Sequence, residues 1–135
     1  MSTQEKIDAF LDGSPFAVVG ASADRSKYGN KVLRVYQQNN REAHPVNPGD
    51  GTIEGLTAYE RLADLPTTPH GISIITPPSV TEKIIREAAD LGIEHAWMQP
   101  GAENQRSIDL AREAGMNLIA GDACILVVLG YREEG

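Results

Sequence analysis

Four apolar residues, Phe16 to Val19, run without a break into Gly20-Ala21-Ser22, and after a polar stretch a helical period resumes with Val32, Val35 and Tyr36. That order predicts a buried strand, a tight loop and a helix. The same alternation continues along the chain. Ser2 and Glu5 have capping-box spacing ahead of Ile7, Phe10 and Leu11, which predicts a short amphipathic helix before the first strand. Glu42 to Val46 reads as a second strand, closed by the turn signal Asn47-Pro48-Gly49-Asp50-Gly51. Beyond it, Thr52-Ile53 suggests a short extended piece and Ala58 to Leu62 a short helix. Gly71 to Thr76 carries the nearly continuous apolar run of a buried parallel strand. Ser79 to Glu82 then predicts a capped helix whose buried stripe is Val80, Ile84, Ala88 and Leu91, with Gly92 as its stop. Ile93 to Gln99 is the fourth strand, and a helix from about Glu103 turns Ile108, Ala111 and Ala114 inward. Met116 to Ala120 is the fifth strand, Gly121-Asp122 a turn, and Ala123 to Leu129 a last short helix.

Strands alternating with helices through short connections predict one α/β domain, a doubly wound parallel sheet of about five strands with helices on both faces. In such a sheet the ligand lies outside the carboxyl ends of the strands. Those ends are Gly20-Ala21-Ser22, Asn47-Pro48, Thr76-Pro77-Pro78, Gln99-Pro100-Gly101 and Gly121-Asp122-Ala123-Cys124.

Charge sharpens this picture. The chain of 135 residues has a net charge of −7, which argues against general nucleic-acid binding. Residues 21–41 nevertheless sum to +4, leaving −11 for the rest. Lys31, Arg34 and Arg41 read as a solvated helix face, whereas Arg25 and Lys27 fall in the loop itself and are assigned to phosphate contact. A small-residue turn leading into a helix N-terminus presents free N–H groups and the positive end of the helix dipole, which favours a phosphate. No apolar run is long enough for a membrane span, the first residues lack a signal-peptide pattern, and a single cysteine, Cys124, suits a reducing cytoplasm.

Candidate catalytic groups are sparse. His44, His70 and His95 show no metal-ligand spacing and none falls at a carboxyl end, so each reads as structural or surface. No nucleophile elbow, zinc-binding helix motif or P-loop is present. Trp97 and Met98 read as core. Cys124 follows a strand-end turn and is either a reactive thiol or, with apolar Ile125 and Leu126 beside it, an inert packed one. For NAD the loop is a poor fit: Ser22 stands where the second glycine of G-x-G-x-x-G belongs, Gly29 comes too late for the third, and the second strand ends in Val46-Asn47-Pro48 instead of an acidic residue.

Taken together, VVGAS at 18–22 with Arg25 and Tyr28 in the loop, PVNP at 45–48, the proline pair 77–78, WMQPGAEN at 97–104 and GDAC at 121–124 resemble the small CoA-binding proteins whose domain is similar to the nucleotide-binding domain of the succinyl-CoA synthetase α-subunit. The resemblance runs from about Ile7 to Tyr131 and implies a Rossmann-like fold that binds CoA or an acyl-CoA. It implies that the diphosphate lies over Gly20, Ala21 and Ser22, the adenosine end near Asn47 and Pro48, and the pantetheine arm along Thr76, Pro77, Pro78, Gln99, Pro100 and Gly101, with Cys124 on the same edge. A 3′-phosphorylated ribose is better met by a neutral Asn and nearby cations than by a carboxylate. The expected function is a cytoplasmic CoA-binding module without catalysis of its own. The alternatives are an NAD(P)-binding enzyme or redox sensor, and a partner-dependent subunit of an acyl-CoA synthetase.

Overall fold

The computed structural model describes residues 1–49, 51–121 and 123–133. Asp50 and Asp122, both in expected turns, lie outside them. The element order is α1 (Thr3–Leu11), β1 (Phe16–Val19), α2 (Tyr28–Gln38), β2 (Ala43–Val46), β3 (Thr52–Ile53), β4 (Leu56–Thr57), a 3-10 turn (Leu62–Asp64), β5 (Gly71–Ile74), α3 (Pro78–Asp90), β6 (His95–Met98), α4 (Gln105–Glu113), β7 (Asn117–Ile119) and α5 (Ile125–Val128). Five of the strands form one parallel sheet in the order β2-β1-β5-β6-β7, and β3 pairs with β4 as a separate hairpin.

Period-two alternation sorts the core into two layers. Ala17, Val19, Ile72, Ile74 and Met98 face one way, against Ile85 and Ala88 of α3 and Ala111 of α4. Phe16, Val18 and Trp97 face the other way, against α1, α2 and Ile125 of α5. Between the layers' small residues, Gly71 leaves space that Phe10 fills, and Ser73 shares a 2.6 Å hydrogen bond with the buried Tyr36 hydroxyl. Burial pushes that phenol's pKa well up, so it stays a neutral partner. Trp97 is fully buried, meets Phe10 edge to face, and donates its indole N–H to the Ala123 carbonyl at 3.0 Å. Among the described residues no helix is long and apolar enough to cross a membrane.

The elements depart from the sequence reading in four places. No helix forms over 58–62: after the hairpin, Tyr59 runs along β2, accepting from Asn47 N–H at 2.8 Å and donating to Pro45 at 3.0 Å. An edge strand's unpaired backbone takes the segment that its composition assigned to a helix. Helix α3 starts with Pro78 rather than after Ser79, because proline's fixed φ suits the first helical position, and no side chain caps it. Its buried stripe is Thr81, Ile85 and Ala88, leaving Val80 and Leu91 exposed, since the Thr81 hydroxyl is satisfied at 2.7 Å by Thr76. Ala114 is exposed at the end of α4, where the chain is already leaving the helix.

At the opposite end of the sheet the His70 and His95 rings stack 4.3 Å apart under α1. His70 bonds the Ala9 carbonyl, and Asn117 bridges Lys6 of α1 to His95 Nδ1. Burial, and next the neighbouring His70, hold His95 below the ordinary 6.5, against a smaller opposing pull from Glu94. The unfolded chain therefore takes up this proton first, so the stabilisation is complete above the unfolded value and is lost as pH falls through the lowered folded one. Urea midpoints are expected to drop between pH 7.5 and 5.5, with a smaller drop in His95→Gln; equal drops in both proteins would remove His95 as the cause.

Candidate functional site

The loop after β1 is shaped by two glycines. Gly20 has φ +93°, and a Cβ there would strike the Ile75 carbonyl oxygen. Gly29, in the first turn of α2, lies so close to β1 that a Cβ would overlap the Gly20 carbonyl oxygen. The helix N-terminus is thus brought against the strand end, the task that a later glycine performs in dinucleotide-binding loops. Between them the chain folds on itself. Ser22 Oγ accepts from Asp24 N–H at 3.1 Å, and the Asp24 carboxylate accepts from Ser26 N–H at 2.9 Å and Ser26 Oγ at 2.7 Å. Those bonds, the hydroxyl's first, hold Asp24 below the usual carboxylate range. Among the described residues, the N–H groups of Ala21 and Ser22 have no protein partner.

Behind the loop lies a polar cluster that the sequence reading missed. Asn30, fully buried, donates from Nδ2 to the Ser22 carbonyl at 2.9 Å and to Glu54 at 3.0 Å, and accepts from Arg34 Nε at 2.6 Å. Arg34 also donates to the Arg25 carbonyl at 3.0 Å and lies over the Tyr131 ring at 5.3 Å. With 3% of its surface exposed it is part of the interior, which corrects the expectation of a solvated face. Arg41 likewise reaches back, to the Leu11 carbonyl at 2.8 Å. Lys31 approaches Glu133 at 3.7 Å. Arg25 and Lys27 are exposed on the loop, and Arg25 Nε contacts Glu54 at 3.3 Å.

Two concavities flank the loop at the strand ends. One, of about 230 Å³, is floored by Gly20 and Thr76 and walled by Asn47, Pro48 and the missed residue Arg61. Asn47 Nδ2 donates one of its two N–H groups to the Ala21 carbonyl, which fixes the side chain and leaves the second N–H and the acceptor Oδ1 for a ligand. The other, of about 260 Å³, is formed by Tyr28, Ile75, Gln99, Pro100 and Cys124. Gln99 is 4% exposed and committed to structure, accepting from Ile125 N–H at 2.9 Å and donating to Cys124 Sγ at 3.3 Å. Cys124 is half-buried at the start of α5. Pro77, Pro78 and Gly101 sit at the same strand ends without lining either concavity. Larger depressions of about 390 and 550 Å³ lie along β7 and at the amino ends of β6 and β7, away from the loop. Among the described residues no three His, Cys, Asp or Glu side chains are grouped to hold a metal ion.

Tyr59, Asn30, Glu54 and Arg61 leave little trace in a linear reading, which gives Gly29 and Arg34 other roles. Only the Asn30 and Arg34 spacing, four apart on one helix, carried a usable signal.

Comparison with known proteins bears on this arrangement. The chain is 26% identical over 132 residues to the ADP-forming acetate–CoA ligase II subunit alpha of Pyrococcus furiosus, covering 88% of this chain but 28% of that protein. A conserved hypothetical protein of P. furiosus with a solved structure is 35% identical, with a TM-score of 0.81, over 86% of this chain and 99% of that one. The dinucleotide-forming acetyl-coenzyme A synthetase 1 of Ca. Korarchaeum cryptofilum matches at 25% identity and a TM-score of 0.76, over 86% of this chain and 28% of the larger one. The chain thus spans just over a quarter of the length of the ligase subunit. The profile of the CoA binding domain matches residues 14–130, from before β1 to the end of α5, and the chain belongs to that family.

Proposed function

We propose that this protein is a cytoplasmic module that holds CoA or an acyl-CoA along the carboxyl ends of its strands and performs no chemical step of its own. The observation that carries this reading is the loop at 20–22. Among the described residues the N–H groups of Ala21 and Ser22 have no protein partner, and they lie near the N-terminus of an 11-residue helix in a cradle that closes only because Gly20 and Gly29 lack a Cβ, which at either position would strike a backbone oxygen. Such a cradle suits a diphosphate, stabilised by the N–H groups, the helix dipole and the Arg25 guanidinium. The adenosine end then enters the groove beside Asn47 and Pro48. There the Asn47 Oδ1 accepts from a ribose hydroxyl, and Arg61 supplies the cation for a 3′-phosphate. The pantetheine arm passes Thr76, Pro77 and Pro78 toward Pro100 and Gly101, which leads its thiol end to the concavity of Tyr28 and Cys124.

Two observations favour other readings. Glu60 and Glu87 line the adenosine-side groove, and a carboxylate there suits the free ribose diol of NAD. The likeness to a ligase α subunit favours a partner-dependent synthetase component. Thermal unfolding with CoA, dephospho-CoA, NAD, NADP and FAD separates the ligand readings. At a free concentration of about 100 times its dissociation constant, the bound ligand stabilises by about 2.7 kcal/mol. CoA is expected to give this shift and NAD none; the reverse pattern would overturn the proposal.

A further inference from the structure

Glu54 is the first residue of the two-residue turn between β3 and β4, at φ +50° and followed by Gly55 at φ +79°, the positive-φ pair that a tight hairpin uses. Its backbone carbonyl is held by Gln37 at 3.2 Å. Its carboxylate oxygen Oε2 lies 3.0 Å from Asn30 Nδ2 and 3.3 Å from Arg25 Nε. The same Asn30 nitrogen holds the Ser22 carbonyl. One carboxylate oxygen therefore touches both the arginine of the phosphate loop and the amide that fixes the loop's backbone.

We propose that Glu54 is a positioning residue for anion binding, one that orients Arg25 for a diphosphate. The inference rests on the reading of the 20–22 loop as a phosphate site. Arginine binds phosphate through its planar fork, and a long exposed side chain loses rotamer freedom when it does so. Glu54 engages the Nε edge of the guanidinium. Among the described residues, neither Nη1 nor Nη2 makes a hydrogen bond to protein, so both remain to meet the ligand. With the side chain of Arg25 58% exposed and that of Glu54 20% exposed, the carboxylate is the fixed member and the arginine the one held. A buried amide completes the support from behind, since Asn30 is itself locked by Arg34 at 2.6 Å. Without Glu54 the arginine samples solvent, and its contribution to binding is lost to ordering cost.

The test is a double-mutant cycle read by calorimetric titration with CoA, ADP and inorganic pyrophosphate, and with pantetheine as the ligand lacking phosphate. Arg25→Ala is expected to weaken the three phosphate ligands about tenfold in the wild-type background. In a Glu54→Ala background the same change is expected to cost less than about twofold, because the arginine is no longer held. Glu54→Gln, which keeps an acceptor toward Arg25 and Asn30, is expected to restore most of the affinity, and pantetheine binding to stay unchanged throughout. Additive losses would overturn the proposal and leave Glu54 a structural residue of the hairpin. Tighter binding in Glu54→Ala would overturn it by making Glu54 a competing anion. Should Glu54→Ala fail to fold, the cycle run with Glu54→Leu decides by the same criteria. The two smaller anions separate this question from the identity of the natural ligand, since a protein that ignores CoA but binds pyrophosphate still reports the Arg25–Glu54 coupling.

Discussion

Gly29→Ala is expected to destabilise the protein by about 3 kcal/mol, at the upper end of what inserting one methyl into a packed interior costs. The added Cβ would fall on the carbonyl oxygen of Gly20 and lie 3.2 Å from the Ala21 Cα. Both are backbone atoms, so no flexible side chain can swing aside. Helix α2 must instead retreat from β1, and Val32, Val35 and Tyr36 are carried with it out of a layer in which all three are fully buried. The retreat also pulls the helix N-terminus away from the loop, so phosphate-ligand affinity falls even in conditions where the variant folds. Urea unfolding measures the first effect and calorimetry the second. Gly51→Ala is the control, since a Cβ there has no neighbour within 4 Å and its φ is ordinary. A Gly29→Ala midpoint equal to that of the control would show that helix and strand are not locked at this contact.

Arg34→Ala is expected to cost about 3 kcal/mol, as hydrogen bonds from a charged donor each contribute about 1.5–3 kcal/mol and their loss leaves buried acceptors unpaired. The acceptors are Asn30 Oδ1, the Arg25 carbonyl and, at 3.5 Å, the Glu133 carbonyl, and the stacking over Tyr131 is lost as well. Arg34→Lys is expected to recover less than half, because an ammonium cannot reproduce a planar fork that reaches three acceptors and a ring at once. The damage extends to the loop. With the Arg25 carbonyl released, amide hydrogen exchange over residues 22–27 is expected to accelerate relative to β5, whose protection follows global stability. Wild-type urea stability in Arg34→Ala would return this side chain to the role of a solvated helix face.

That role is what the linear pattern assigned to Arg34, and the reason for the error is general to buried cations. Periodicity classes a charged residue by its type, whereas the partners that permit its burial come from elsewhere: Arg25 from the loop, Asn30 from one turn earlier, and Tyr131 from the far end of the chain. The five sheet strands and the glycine turn after β1 are legible because they rest on local runs, such as Phe16 to Val19 and Ile72 to Ile75, broken by glycine and proline. In α3 the pattern places Ala88 correctly but puts Val80 and Ile84 where Thr81 and Ile85 are the buried positions, because Thr81 is polar by type and faces inward through its bonds to Thr76 and Pro77. Spacing alone gives Gly29 no role, since it comes too late for the third glycine of a dinucleotide fingerprint. Its function depends on where α2 meets β1, not on a fixed count from Gly20, and a nine-residue interval serves as well once the loop between is folded on itself. Glu54 was invisible for a plainer reason: it is 24 residues from the asparagine it contacts, and its hairpin had no pattern to announce it.

The sole tryptophan of the chain lies at the centre of this molecule, with its indole N–H bonded to the Ala123 carbonyl one residue before Cys124. An indole sealed in an apolar layer fluoresces at short wavelength and shifts to the red when water reaches it. The emission of Trp97 is therefore an intrinsic gauge for the whole fold, free of background from a second indole. Because its hydrogen bond ends on the segment leading into the Cys124 concavity, the same signal is wired to the strand-end face, and unlabelled protein can report in one cuvette both when that face is engaged and when the core gives way.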